Sequence, residues 1–470
     1  MNIRLAFILG VSSIIGQVLL LRELTAVFYG NETAYAVILA SWLCWIGAGS
    51  FALSRAAVRV TAPRTLLTGL FFAVAILLPL TITATRLVSA VLHIHTGEII
   101  GVVPMCLATF VLVGPLTLVL GAAFTAICRL PTEWKIPAAA VDVNRVYLFE
   151  ALGAVTGGCI YSFVLIHFAP ALHVACGVSI LNCYAAVRAW GRKGAVTYIG
   201  ALLSLALFAA LLLGALTSVE AWTRRVQWRG MNVVASADSP YGHLTLTRLV
   251  DEYSLYENGT LSFSTRDDSG PEEVVHYALL EHPAPRNVLL IGNGLGGALT
   301  EVLKHPLVRV DYVELDPTVI RMARVWLPRE VTRPLSNPRV RILHTDGRLH
   351  VKRTPERYDA IIINLGDPYN ALINRYYTRE FFREARHILT PRGMLTFSVS
   401  SSENYVNDET RDLLRSINTT LGAVFPAVIS IPGERNIFIA CPSTGVLTRN
   451  PAELSRRLRE RGISTRYVSE

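Results

Sequence analysis

The sequence predicts an α-helical transmembrane bundle of about seven spans, followed by a Rossmann-like α/β domain with a small β region at its start. Three observations carry this reading. The 470 residues are 52% hydrophobic and only 17% charged, against about 25% charge in an ordinary soluble domain. Long apolar runs fill residues 1–219, whereas Arg, Asp and Glu reach soluble density from Glu220 onward. In the second half a strand, a glycine-rich turn and a helix follow in the order that opens a doubly wound sheet. The expected division is a helical domain over 1–220, a β-hairpin region over 221–275, a nucleoside-binding α/β domain over 276–445 and a tail over 446–470.

A membrane-crossing helix needs about 20 mostly apolar residues. Seven stretches qualify: 5–21, 34–53, 66–85, 99–127, 146–168, 171–190 and 195–219. The first runs into Arg22-Glu23 with no small-residue cleavage pattern, so it reads as a span and not as a removed signal. Pro170 sets a tight hairpin between the fifth and sixth. Arg4, Arg55, Arg59, Arg64, Arg129, Lys135, Arg145, Arg188, Arg192 and Lys193 lie at the N-terminus and in the second, fourth and sixth loops; the alternate loops hold little beyond Arg22 and Arg86. That asymmetry predicts a multi-pass membrane protein with its N-terminus in the cytoplasm. It also accounts for much of the net charge of +9, so no nucleic-acid partner is inferred.

Ionisable groups at membrane depth are costly and commonly functional. Glu150, a few residues inside the fifth run, is the clearest; Gly153, Gly157 and Gly158 beside it predict close helix packing. Arg22 and Glu23, with Asn31 and Glu32 beyond them, read as interfacial snorkelling and local ion pairs. His93 and His95 flank the third outer loop. Cys44, Cys106, Cys128, Cys159, Cys176 and Cys183 form no CxxC pair and read as small buried hydrophobes. Cys441 stands alone in the second half, which therefore holds no internal disulfide. No metal site is expected.

The segment 232–266 alternates, with turn signals at Ser239-Pro240-Tyr241-Gly242 and Asn258-Gly259, and predicts short antiparallel strands. Then come the strand Asn287-Val-Leu-Leu-Ile, the turn Gly292-Asn293-Gly294-Leu295-Gly296-Gly297 and a helix over 298–303. The glycines let a ligand approach the backbone at the helix start. A second strand ends at Glu314, where an acidic residue is expected to hold ribose hydroxyls. A third ends at Asp346-Gly347, a fourth at Asn364 with Asp367-Pro368 beyond it, and a fifth covers 394–399. All these polar residues fall at strand C-terminal ends, where open α/β sheets bind ligands.

From about residue 232 to 442 this order, with Val313-Glu314-Leu315-Asp316 and the run Tyr377-Thr-Arg-Glu-Phe-Phe, resembles the spermidine synthase (polyamine aminopropyltransferase) family. The resemblance implies a methyltransferase-like fold that binds decarboxylated S-adenosylmethionine and passes its aminopropyl group to an amine. It implies that Gly292, Gly294 and Gly296 lie under the nucleoside, that Glu314 holds the ribose, and that Asp346-Gly347 meets the adenine amino group. Asp367, Asn364 and Tyr377 would face the reaction. The helical half likewise resembles that of bacterial proteins fusing such a domain to several spans.

The departures lie on one side. Leu295 stands where the family carries an Asp that holds the donor's amine, and Asn364 replaces a catalytic Asp. If His282-Pro283 sets the register, the family's Tyr-His-Glu becomes His276-Tyr277-Ala278, with Glu272 and Glu273 nearby. An amine must be neutral to attack a sulfonium-bound carbon, and carboxylates hold the cation and take its proton. The nucleoside side is kept while the amine side is changed. Three functions follow: an integral-membrane transferase using S-adenosylmethionine or its decarboxylated form on an unknown acceptor, a non-catalytic nucleoside sensor, or a transporter gated by the soluble domain. The expected partners are an adenosyl nucleoside and the lipid bilayer, with the oligomeric state, a homo-oligomer included, left open. Seven spans put the α/β domain outside; the cytosolic origin of S-adenosyl donors puts it inside, and the cytoplasm is favoured because one span more or fewer reverses the topology.

Overall fold

The computed structural model describes residues 2–30, 32–56, 62–92, 100–129, 139–191 and 194–468. Arg59, His93, His95, Lys135, Arg192, Lys193 and Asn31 lie outside them. The chain divides into two compact units, Met1–Thr245 with Glu257–Thr260, and Leu246–Tyr256 with Leu261–Glu470.

The first unit is built on α1 (Asn2–Val27), α2 (Glu32–Ala56), α3 (Pro63–Val91), α4 (Val102–Arg129), α5 (Ala139–Ile160, continued by a π turn at Tyr161–Leu165 to Phe168), α6 (Ala171–Trp190) and α7 (Ala195–Leu212). Among the described residues these seven are long and apolar enough to cross a membrane, by length and composition. Small residues set two of the closest approaches. A Cβ on Gly10 of α1 would lie 1.9 Å from the Glu150 carbonyl oxygen, and one on Gly153 of α5 would lie 2.1 Å from that of Phe7. Gly49 and Gly121 do the same for α2 and α4. Gly157 also packs tightly, against Val11 and Ile14, whereas Gly158 has more room. On α7 the large side chains Tyr198, Ile199, Leu202, Leu205 and Phe208 are exposed.

Two expectations are corrected here. The apolar run 195–219 is not one helix: Gly214 takes a left-handed φ of 73°, and a separate helix α8 (Ala215–Gln227) begins beyond it. Cys176 and Cys183 are buried, but Cys44 and Cys159 are exposed on helix surfaces.

Arg22 and Glu23 make the ion pairs expected of them, but within the protein and not by snorkelling to an interface. Glu23 is buried and clamped by two guanidiniums, Arg86 through Nε at 2.9 Å and Nη2 at 2.6 Å, and Arg224 through Nη1 at 3.2 Å and Nη2 at 2.9 Å. Arg86 also reaches Glu220 at 2.7 Å and donates to the Thr223 hydroxyl at 3.0 Å. Arg22 donates to Asp238 and to the Gly242 carbonyl, both at 3.1 Å, and His243 Nδ1 lies 2.9 Å from Asp238. Burial alone would raise the Asp238 carboxyl; His243, Arg224 and Arg22 outweigh it and hold the group well below its ordinary range. Three guanidiniums thus meet three carboxylates inside the protein, and each depends on its partners because an unpaired buried charge is severely penalised.

Strands β1 (Asn232–Asp238), β2 (His243–Leu249), β3 (Glu252–Glu257) and β4 (Thr260–Ser264) form a four-stranded sheet in sequence order. In the α/β unit, β5 (Asn287–Ile291), β6 (Arg309–Val313), β7 (Val340–Leu343), β8 (Tyr358–Ile363), β9 (Leu389–Ser400), β10 (Ala427–Ile431) and β11 (Arg435–Cys441) form a seven-stranded sheet of order β10-β11-β9-β8-β5-β6-β7. The pairs from β9 through β7 are parallel, and β11 runs antiparallel between β9 and β10. Strand order reverses at β5, which lies between β6 and β8, and such switch points open a crevice at the strand C-termini. Helices α9 (Ser269–Glu281), α10 (Ala298–Leu303), α11 (Pro317–Trp326), α12 (Gly347–Arg353), α13 (Arg379–Ile388) and α14 (Asp408–Gly422) complete the layers. The segment expected as a tail forms a further helix, α15 (Pro451–Glu460). It docks on α9 through Leu280, Leu458 and Ile463 and through Arg457, which donates to the Leu280 and Glu281 carbonyls at 2.7 Å.

Candidate functional site

Register brings the predicted residues together. Ile291 pairs with Val313 on one side and with Ile363 on the other. The next residues of those three strands, Gly292, Glu314 and Asn364, therefore emerge side by side. Val313 pairs with Leu343, which puts Asp346 and Gly347 at the same edge.

The turn after β5 is held by specific contacts. Gly292 has a φ of 75°, and a Cβ there would lie 2.2 Å from Leu365 Cδ2. Asn293 is left-handed at a φ of 42°, a region Asn tolerates better than most residues. Its side chain is locked in both senses: Oδ1 accepts the Ser262 hydroxyl at 2.6 Å, and Nδ2 donates to the Ser262 carbonyl at 2.8 Å. Residues Gly294–Gly296 make one 3₁₀ turn with Leu295 buried. The room left by Gly294 is taken by the Tyr312 ring and that left by Gly296 by Phe263, so these glycines serve packing under the loop.

Tyr312 links the loop to the acid. Its hydroxyl accepts the Gly294 amide at 3.2 Å and donates to Glu314 Oε2 at 2.9 Å; the Asp316 amide donates to Oε1 at 3.3 Å. Glu314 is buried and fixed in orientation. Asp346 caps α12 by accepting the Leu349 amide at 2.9 Å, and its other oxygen pairs with Arg375. Gly347 is pressed against Ile291 and the Tyr376 hydroxyl, where a Cβ would be 2.7 and 2.9 Å away.

On the other side of the loop, Asn364 Nδ2 donates to the Asn293 carbonyl at 3.0 Å. This is a bond that an Asp, a pure acceptor when ionised, could not make. Asp367 Oδ1 accepts the Ser400 amide at 2.7 Å. The Tyr377 hydroxyl donates to the Gly366 carbonyl; burial and the neighbouring Asp367 push its phenol well above the ordinary range. His276 and Ala278 are fully buried within α9, with His276 bonded to His305 at 2.9 Å and Glu301 at 2.8 Å. Glu272 accepts the backbone amides of Arg466, Tyr467 and Val468.

Sequence reasoning missed Tyr312, the Asn293–Ser262 clasp and Arg375. Tyr312 was in plain view two residues before Glu314, at the alternation that puts both on one face. Ser262 and Arg375 gave no signal, because each comes from a distant part of the chain.

Residues 268–442 match the family model of the spermine/spermidine synthase domain. A polyamine aminopropyltransferase of Pyrobaculum calidifontis is 32% identical over 206 residues, covering 42% of this chain and 71% of that protein. One from Nitrosomonas europaea is 30% identical over 241 residues, covering 50% and 74%. Among solved structures, a spermidine synthase in complex with the transition state analogue AdoDATO aligns at 22% identity and a TM-score of 0.43, covering 50% of this chain and 81% of that one. With that identity over more than two thirds of a relative's length, the chain belongs to the polyamine aminopropyltransferase family.

Proposed function

We propose that the α/β unit binds an S-adenosyl donor and transfers a group from its sulfonium to an acceptor, in a protein anchored in the membrane by its seven apolar helices. The observation that carries this reading is the Gly294–Tyr312–Glu314 link, which holds a glycine-rich turn and a buried carboxylate at one strand edge. A carboxylate so placed suits two neighbouring ribose hydroxyls. In this reading Gly292, Gly294 and Gly296 shape the floor, Glu314 takes the ribose, and Asp346 with Gly347 meets the adenine edge.

An amine lone pair would attack the carbon bound to sulfur. The C–S bond breaks, its electron pair neutralises the sulfonium to a thioether, and the nitrogen loses a proton. Asp367 keeps Oδ2 for that proton while Oδ1 holds the Ser400 amide; Tyr377 and Asn364 line the same side. Family relatives carry the name aminopropyltransferase, and decarboxylated S-adenosylmethionine is the donor that the name implies. Leu295 offers no charge to the donor's amine and none against a carboxylate, so intact S-adenosylmethionine is expected to bind at least as well as the decarboxylated form in this chain.

A second reading, a nucleoside sensor without turnover, is favoured by one contact. Asn364 spends its amide on the Asn293 carbonyl and supplies no base. The two are separated by incubating the full chain with each donor and a membrane extract and assaying the nucleoside thioether. Product that disappears in Asp367→Asn supports transfer; donor binding with no product supports the sensor.

A further inference from the structure

At the opposite end of the sheet from the donor edge, Arg357, Arg383, Arg386 and His387 line one open groove of about 480 Å³ together with Leu389, Pro391, Ala423 and Val424. Arg357 immediately precedes β8 and Asn364 immediately follows it. Six residues of strand separate them, roughly 20 Å at about 3.3 Å per residue. The groove is therefore distinct from the nucleoside site.

Its charge is not compensated locally. The nearby acids are committed elsewhere: Glu356 pairs with Arg309 at 2.9 Å, Glu384 with Arg348 at 3.2 Å, and Asp359 accepts the Arg286 and Asn287 amides and the Thr390 hydroxyl. Among the described residues no carboxylate lines the groove. Arg386 donates to the Val424 carbonyl at 2.7 Å, so its guanidinium is held in place ahead of any ligand. Three guanidiniums on a concave surface match the oxygens of a phosphate, which arginine binds through paired N–H donors. The Leu389, Pro391, Ala423 and Val424 wall supplies an apolar side that a bare ion does not use.

We propose that this groove binds a phosphate-type anion, independently of the donor site. Two probes tell its sources apart: inorganic phosphate, and a short-chain phosphatidylglycerol presented to the full chain in an uncharged detergent. Calorimetry is expected to show saturable binding of at least one, the tighter probe identifying the source. In the double variant Arg357→Gln/Arg383→Gln, binding weakens by about tenfold or more, as loss of charge-assisted hydrogen bonds requires. Both positions are exposed, and S-adenosyl donor binding in the same variant serves as the check on folding. Saturable binding of neither probe, or equal affinity in the original chain and the double variant, overturns the proposal.

Discussion

Asp346 enters the candidate site already engaged on both oxygens, by the Leu349 amide and by Arg375. In the proposed reading, an adenine amino group has to share or displace that guanidinium. Arg375→Ala is expected to raise adenosyl affinity several-fold by freeing Asp346, whereas Asp346→Ala lowers it; calorimetry on both variants checks the signs. Glu314 and Asp346 were legible because each follows a short apolar strand, while Arg375 lies 29 residues from its partner in a segment without periodicity. Asn364 was legible as a departure but not as a tie. Since its amide holds the Asn293 carbonyl, Asn364→Asp removes a donor and faces a carboxylate to a carbonyl, so it should loosen the glycine turn and weaken nucleoside binding as well as alter turnover. Far from the site, burial pushes the Glu281 carboxyl up to about 7, against the Thr448 amide and Arg457. The folded state thus keeps this proton between the ordinary carboxylate value, about 4.3, and about 7. Its contribution to stability is full below that window and is lost as pH rises through about 7. Thermal midpoints between pH 5 and 8 should fall less steeply in Glu281→Gln than in the original chain.

At the level of elements, span length and the strand-glycine-helix order reveal most of the architecture, because lipid and the buried parallel strands both demand continuous apolar runs. What escaped the sequence was decided by single residues or by distant packing. Gly214 ends one helix in the middle of an apolar run, which hydropathy averages over. The C-terminal helix α15 is rich in Arg and Glu and buries a narrow stripe, so it reads as a tail until α9 is there to receive it. β10 and β11 pair antiparallel with each other, beyond the parallel repeat that made the earlier strands recognisable. The Glu23 cluster joins α1, α3 and α8, and only the fold supplies its partners. Glu23→Ala leaves Arg86 and Arg224 with Glu220 alone between them and is expected to cost roughly 3–5 kcal/mol. Thermal unfolding in detergent measures it; a variant as stable as the original chain would show that the cluster contributes little.

For the whole molecule, seven apolar helices and a donor made in the cytosol pull the topology in opposite directions. With a cytosolic donor the α/β unit is expected in the cytoplasm: protease added to inside-out vesicles should digest it, and protease added to right-side-out vesicles should leave it intact. The reverse pattern places it outside. An Asp at position 295 would attract the donor's amine and repel a carboxylate on the same arm; two such charges about 4 Å apart interact by roughly 4 kcal/mol near a protein surface. Leu295 removes both effects. The most direct measurement is a calorimetric titration of the full chain in detergent with S-adenosylmethionine and with its decarboxylated form, repeated on Glu314→Ala and Leu295→Asp. The intact donor is expected to bind at least as tightly as the decarboxylated one, Glu314→Ala to weaken both, and Leu295→Asp to swing the preference to the decarboxylated form. A clear preference for the decarboxylated donor in the unmutated chain, or no binding of either, would contradict this reading of the donor site.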